Sequence, residues 1–345
     1  MVRTEIDVRA HTVILGAGAT IAAIPNGDKT GKKSSVMSGL IEKLGMKDIF
    51  AGITMNTSSD NLEDIYSELY ERPECKEALL ELEKRLYNYF ASLEIPDEPT
   101  VYDLLILGLT NKDAIATFNW DPLLIQAYIR CYDVTDNLPK IYCLHGNVAM
   151  GFCVEHNEYG SVDADCPVCG NNLPPTRLLF PVKQKNYSND KYIRLCWEAT
   201  EWFIQNSYML TIFGYSAPSS DTEAVGLMKR AWGNLNERQL EEVSVIDIID
   251  ETEMLKKWSQ FIYTHHYRYT NNFYDSYIGL FPRRSCEMVF ATVQLNVAND
   301  TQKGFRPNMT WEELYDYLYP LLCEENETPK NRNYPLHYVR EGYFN

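Results

Sequence analysis

The feature that most constrains this chain is a recurring unit: a short apolar, β-branched run that stops at small or polar residues and is followed by a helix-period segment. Thr12 to Leu15 stops at Gly16-Ala17-Gly18-Ala19-Thr20, and Ala114 to Phe118 stops at Asn119-Trp120-Asp121. Ile141 to Leu144 stops at His145-Gly146, YMLTIFGYS at Gly214-Tyr215-Ser216, and VSVIDIID beside Asp247 and Asp250. Strands too apolar to face water on either side, alternating with helices, predict an α/β fold with a doubly wound parallel sheet. In such a sheet ligands sit at the carboxyl ends of the strands, where these small and polar residues gather.

Between the runs, apolar residues fall three or four apart. GLIEKLG, LEDIYSELYE and KEALLELEKRLYNYFASL predict a helical insertion over 34–98 with an acidic, solvated face. PLLIQAYIRCY reads as a helix, and KYIRLCWEATEWFIQN as another whose Ile193, Trp197 and Ile204 share one stripe. SSDTEAVGLMKRAW reads as a third, with Ser219 or Ser220 as its cap. A main domain is expected over 1–290, followed by a strand-helix extension over 291–345; EMVFATVQLNV, across that boundary, reads as a strand and MTWEELYDYLYPLL as a helix.

Composition excludes several classes. Apolar residues make up 45% of the 345, ordinary for a globular chain. A formal charge of −16 repels phosphate backbones and anionic lipid, so direct nucleic-acid binding is not expected. No stretch approaches the ~18 apolar residues of a membrane span. Nine scattered cysteines suit reduced thiols, and a cytoplasmic location is expected.

Three groups of residues carry chemistry. Gly16 and Gly18 either let a pyrophosphate approach the backbone of the turn or serve only to pack a helix on a strand. Asn119, Asp121 and His145 either line a ligand crevice or simply cap a helix and close a turn. Cys153, His156, Cys166 and Cys169, spaced C-x2-H-x9-C-x2-C over 147–180, are two chelating pairs suited to a structural Zn2+ site closed by four protein ligands. His265-His266 reads as surface, and the remaining cysteines as buried apolar residues.

Taken together, the Gly16-Ala17-Gly18-Ala19-Thr20 turn with Ile24-Pro25, the Thr117-Phe118-Asn119-Trp120-Asp121 run, His145-Gly146 directly before the cysteine cluster, and Gly214-Tyr215-Ser216 resemble the sirtuin family in order and spacing over about residues 11 to 250. The resemblance implies NAD as substrate and structural zinc as cofactor. It implies that Gly16, Ala17, Gly18, Thr20, Gly214 and Ser216 bind phosphate or ribose, that Asn119 holds ribose and water, that Asp121 holds the nicotinamide amide, and that His145 accepts a proton. Asp250, with Asp247, is placed to meet an adenosine ribose or to cap the strand end. His156 stands where the family usually has cysteine. Asn26-Gly27-Asp28-Lys29 stands where lysine deacylases of the family carry an aromatic and an arginine, and LLFPVKQKN replaces their peptide-docking segment. These departures favour hydrolysis of NAD+ to nicotinamide and ADP-ribose, in the manner of NAD-depleting antiphage effectors. Such effectors imply homo-oligomers and a regulatory protein partner such as an ATPase. A lysine deacylase, an ADP-ribosyltransferase and a non-catalytic NAD or ADP-ribose sensor are the alternatives.

Overall fold

The structure, a computed structural model, describes residues 9–34, 36–180, 187, 189–218, 221–234, 236–238, 240–262, 267–295 and 304–327. Its strands are β1 (Ala10–Leu15), β2 (Ala114–Thr117), β3 (Lys140–Cys143), β4 (Met150–Cys153), β5 (Glu158–Ser161), β6 (Ser207–Phe213), β7 (Glu242–Ile246) and β8 (Tyr267–Thr270). Six of them form one parallel sheet in the order β3-β2-β1-β6-β7-β8, while β4 and β5 make a separate antiparallel ribbon. The order reverses between β1 and β6, which is the switch point where a doubly wound sheet opens a crevice.

Both faces of the sheet are covered, as the apolar strands require. Val13 and Leu15 of β1 point into a core shared with the helical segment, helix Leu123–Cys131 and helix Trp311–Glu327. Ile14, one residue out of phase, points to the opposite core with helices Lys191–Asn206, Thr222–Trp232 and Glu251–Trp258. The helical segment is built from Leu40–Lys43, Leu62–Tyr70, Lys76–Ala91 and Val101–Leu107. In Lys76–Ala91 the buried residues are Leu79, Leu82, Leu86 and Phe90, the three-and-four spacing of a single stripe. Helix Lys191–Asn206 begins where Asp190 accepts the Ile193 N–H at 3.0 Å, and Ile193, Trp197 and Ile204 are buried along it.

The sequence reading needs correction in the last third of the chain. EMVFATVQL, expected as a strand, lies in a helix over Ser285–Leu295. The helix is apolar on two sides: Cys286 and Val289 pack on Met209 of β6, and Met288 and Ala291 pack on Phe281. Burial on two faces erases the one-sided stripe by which a helix is recognised. Conversely β8, YRYT, escaped the reading because it is a short, half-polar strand at the sheet edge. The proposed caps Ser219 and Ser220, and His265 and His266, lie outside the described residues.

The terminal helix is clamped. Arg283, in the left-handed region at φ 66, donates to the carbonyls of Leu107 and Leu109 at 3.2 Å each and of Asn137 at 3.0 Å, while also gripping Glu325. Arg284 reaches Glu324 at 2.9 Å.

At the switch point the turns after β1 and β6 touch backbone to backbone. Gly16 N–H donates to Phe213 O at 3.0 Å and Gly18 N–H to Gly214 O at 2.9 Å. A Cβ on Gly214, whose φ is +61, would meet Ala19 N at 2.3 Å and Gly18 C at 2.5 Å, so no side chain fits. Gly214→Ala is expected to cost at least about 2 kcal/mol of unfolding free energy in urea titration. A loss within error of zero would show that the turns can separate.

Candidate functional site

Two loops leave the sheet beside that contact and meet. Thr20, 1% exposed in the helix after the glycine turn, places its Oγ1 2.7 Å from Tyr102 Oη and 2.8 Å from Asp121 Oδ2. Asn119 donates from Nδ2 to Gly16 O at 2.9 Å, to Thr20 Oγ1 at 3.0 Å and to Tyr102 Oη at 3.1 Å. The hydroxyls therefore form a directed chain: Tyr102 O–H to Thr20, and Thr20 O–H to the Asp121 carboxylate. Asp121 also accepts the Leu123 N–H on Oδ1 at 3.2 Å, so the capping role and the crevice role coexist. Burial pushes the Asp121 carboxyl up to about 6, against the opposing effect of its hydrogen bonds from Thr20 and Leu123. Asn119 is the partly exposed member of the cluster, while Thr20, Tyr102 and Asp121 are buried.

His145 stands behind Phe118, whose ring meets the imidazole edge-on at 4.8 Å and stacks on Tyr215 at 4.2 Å. Its Nε2 lies 3.4 Å from Tyr187 Oη and 3.9 Å from Asp221 Oδ1, and Asp221 Oδ2 accepts from Tyr215 O–H at 2.9 Å. The imidazole, 5% exposed, is thus enclosed by aromatic rings with a carboxylate beside it.

The remaining expected residues lie around this cluster without hydrogen-bonding into its core. The N–H groups of Gly16 and Gly18, expected to face a pyrophosphate, are engaged with Phe213 and Gly214, leaving partly exposed Ala17 as the open residue of the turn. Ser216 is exposed just beyond β6. Asp250 is exposed beyond β7 and caps helix Glu251–Trp258, accepting the Glu253 N–H at 3.0 Å. Neither Ser216 nor Asp250 joins the Thr20-Asn119-Asp121 cluster. Tyr102 and Asp221 were not singled out from the sequence. Tyr102 sits in a helix buried along its whole length, and Asp221 heads a helix like any polar cap, so neither carried a local signal.

The cysteine cluster converges as its spacing requires. The ligand atoms of Cys153, His156, Cys166 and Cys169 lie within 4.8 Å of one another, with His156 Nδ1 3.4 Å from Cys153 Sγ and 3.9 Å from Cys166 Sγ. Tetrahedral Zn2+, with bonds of ~2.3 Å to sulfur and ~2.0 Å to nitrogen, sets donor atoms roughly 3.5–3.8 Å apart, so the four fit the ion. Backbone N–H groups at Cys169 and Val168 push the Cys166 thiol down to about 7, favouring the thiolate that binds metal. Four protein ligands leave no position for a catalytic water.

The lobe that these residues close is tied to the site through its stem. The chain leaves the sheet at Gly146 and returns across it at Arg177, so closely that a Cβ on Gly146 would meet Arg177 O at 2.1 Å. Leu179 N–H donates to His145 O at 2.9 Å, and Thr176 Oγ1 donates to Asn147 O at 3.0 Å. Asn147 then donates from Nδ2 to the carbonyls of Asp121 at 2.6 Å and Asn119 at 3.3 Å. Glycine after His145 thus lets the returning chain pass directly over the turn.

No protein-family model matches the chain, and no curated protein matches it. Among solved structures it is similar to a Sir2 homologue complexed with ADP-ribose, at 14% identity over 71% of this chain and 82% of that one, with a TM-score of 0.36. It is also similar to Sir2 bound to acetylated peptide, at 15% identity over 84% and 93%, with a TM-score of 0.38.

Two outcomes are expected. The purified chain carries one zinc per molecule by metal analysis, and Cys166→Ser loses both the zinc and several degrees of melting temperature; full zinc retention in the variant would remove Cys166 from the ligand set. Because the folded Asp121 carboxyl is raised above its ordinary 3.8 to about 6, its contribution to stability is complete below about pH 4 and is lost as pH rises through about 6. Asp121→Asn, neutral throughout, should therefore gain on wild type by up to roughly 3 kcal/mol between pH 4 and pH 7.5. A difference independent of pH would mean that Asp121 titrates as if exposed.

Proposed function

We propose that the chain is an NAD+ hydrolase, cleaving the nicotinamide–ribose bond to release nicotinamide and ADP-ribose. The observation that carries this reading is the hydrogen-bonded cluster of Thr20, Asn119 and Asp121 at the switch point of the sheet, with His145 across the ring of Phe118. In NAD+ the nicotinamide leaves as a neutral ring from a cationic glycoside, so the enzyme must hold the ribosyl cation in fixed dipoles and admit one nucleophile. Asn119, the member a ligand reaches, holds the ribose and the attacking water. Asp121, buried beside Asn119, is the group that the sequence resemblance assigns to the carboxamide of the leaving ring, and its carboxyl fixes Thr20 and the start of the next helix. His145, with Asp221 beside it, takes the proton released as water oxygen bonds to C1′ and the C1′–nitrogen bond breaks. Ala17 and Ser216, open at the ends of β1 and β6, face the phosphates. Cys153, His156, Cys166 and Cys169 would hold zinc, which would steady the stem that fixes Asn147, and through it the Asn119–Asp121 loop.

The loop after Ile24-Pro25 supports hydrolysis over acyl transfer. Asp28 gathers the N–H groups of Thr30 and Lys32 at 2.8 Å each and of Glu94 at 3.0 Å, folding the loop onto the helical segment, and residues 26–33 carry no aromatic ring that could shield C1′. Water then competes well for the ribosyl cation. Draining NAD+ from the cell is the antiphage role that the sequence resemblance implies, with assembly or a protein partner such as an ATPase as its restraint.

The test is incubation with NAD+, with and without acetyl-lysine peptide, for wild type, Asn119→Ala and His145→Ala. Wild type is expected to release nicotinamide and ADP-ribose in equal amounts without peptide, and each variant to be slower by about 100-fold or more. Deacetylated peptide with O-acetyl-ADP-ribose would assign a deacylase instead. NAD+ bound but intact in all three proteins would assign a sensor.

A further inference from the structure

A cavity of about 510 Å³ opens between the helical segment and the chain returning from the metal lobe, and neither the strand-end cluster nor His145 lines it. The volume is that of a small-molecule site. One wall is a ladder of rings: Tyr66 stacks on Phe180 at 5.3 Å and 8°, and Tyr70 stacks on Tyr66 at 6.2 Å and 20°. Tyr70 is 61% exposed, so its outer face is open to a further flat ring.

The charges around the cavity are unevenly matched. Of its two acids, Glu83 accepts the Tyr66 O–H at 2.5 Å, and Asp190 accepts the Ile193 N–H at the start of helix Lys191–Asn206, where the helix dipole also offsets its charge. Its two cations, Lys84 and Arg177, make no salt bridge and no side-chain hydrogen bond among the described residues. Elsewhere Lys29, Lys47, Arg72 and Arg85 hold acids on the surface, while Lys33, Lys76, Lys140 and Lys256, like Lys84 and Arg177, hold none among the described residues; what sets Lys84 and Arg177 apart is that both border one cavity. Two uncommitted cations beside an open aromatic face match a ligand that is anionic at one end and planar at the other.

We infer that this cavity is a second nucleotide site, taking a nucleoside phosphate whose base stacks on Tyr70 and whose phosphates meet Lys84 and Arg177. It is separate from the strand-end crevice and does not depend on the hydrolase reading. The recognition is sequence-tolerant stacking plus charge, so it weakens with salt.

Photolabelling of the full chain with 8-azido-ADP, followed by peptide mapping, tests this. Label is expected in the peptides spanning 62–91 or 176–193, displaced by excess ADP but not by the same concentration of inorganic phosphate. Lys84→Ala with Arg177→Ala, both exposed positions, should reduce that label about tenfold without lowering the melting temperature. Tyr70→Ala should reduce it as well. Label confined to the turns after β1 and β6, label unchanged in the double variant, or displacement by phosphate as effective as by ADP would each overturn the inference.

Discussion

Everything at the ligand end of this molecule hangs on one contact, where the turn after β1 lies against the turn after β6 with no side chain between them. Three glycines make it possible: Gly16 and Gly18 on one side and Gly214 on the other, each with backbone atoms inside the space a methyl group would need. Because the two turns are sealed to each other by the Gly16 and Gly18 N–H groups, the first helix starts at a fixed point and delivers Thr20 to Asn119 and Asp121. The glycines thus act one step earlier than a phosphate-cradling turn would. They set the geometry of the crevice.

From there the organisation is a sequence of supports. The Thr20 hydroxyl is fixed by Tyr102 and Asp121; the Asn119–Asp121 loop is held from beneath by Asn147; Asn147 belongs to the stem of the metal lobe. A buried carboxyl raised to about 6 is a cost to the fold near neutral pH, and such costs gather where chemistry is done. The metal lobe sits outside the crevice yet is joined to it by hydrogen bonds, which gives a closed zinc shell a reason to stand directly after His145-Gly146.

The sheet was legible because each strand is apolar throughout and stops abruptly, and because the helices between them keep one clear stripe. The convergence of Thr20, Asn119 and Asp121 was legible for the same reason: residues at the carboxyl ends of adjacent parallel strands have nowhere else to go. Tyr102 was not, because a residue in a fully buried helix looks like core whatever its hydroxyl touches. Ser285–Leu295 was misread because burial on two faces removed its stripe, and β8 was missed because an edge strand need not be apolar. The uncommitted state of Lys84 and Arg177 is a property of their surroundings, invisible in any string of letters.

The topology also sets the order in which the molecule can be completed. β1 lies at the centre of the sheet, yet His11 at its start meets partners 102 and 200 residues further along the chain, at Asp113 and Thr211. This fully buried strand must therefore remain without one of its two neighbours until Ser207–Phe213 has been made. The core on one face is unfinished until helix Trp311–Glu327 arrives and Glu325 reaches Arg283. Pairings so distant in sequence fold slowly and leave sheet edges open on the ribosome, which makes the nascent chain, rather than the finished one, the form most exposed to aggregation.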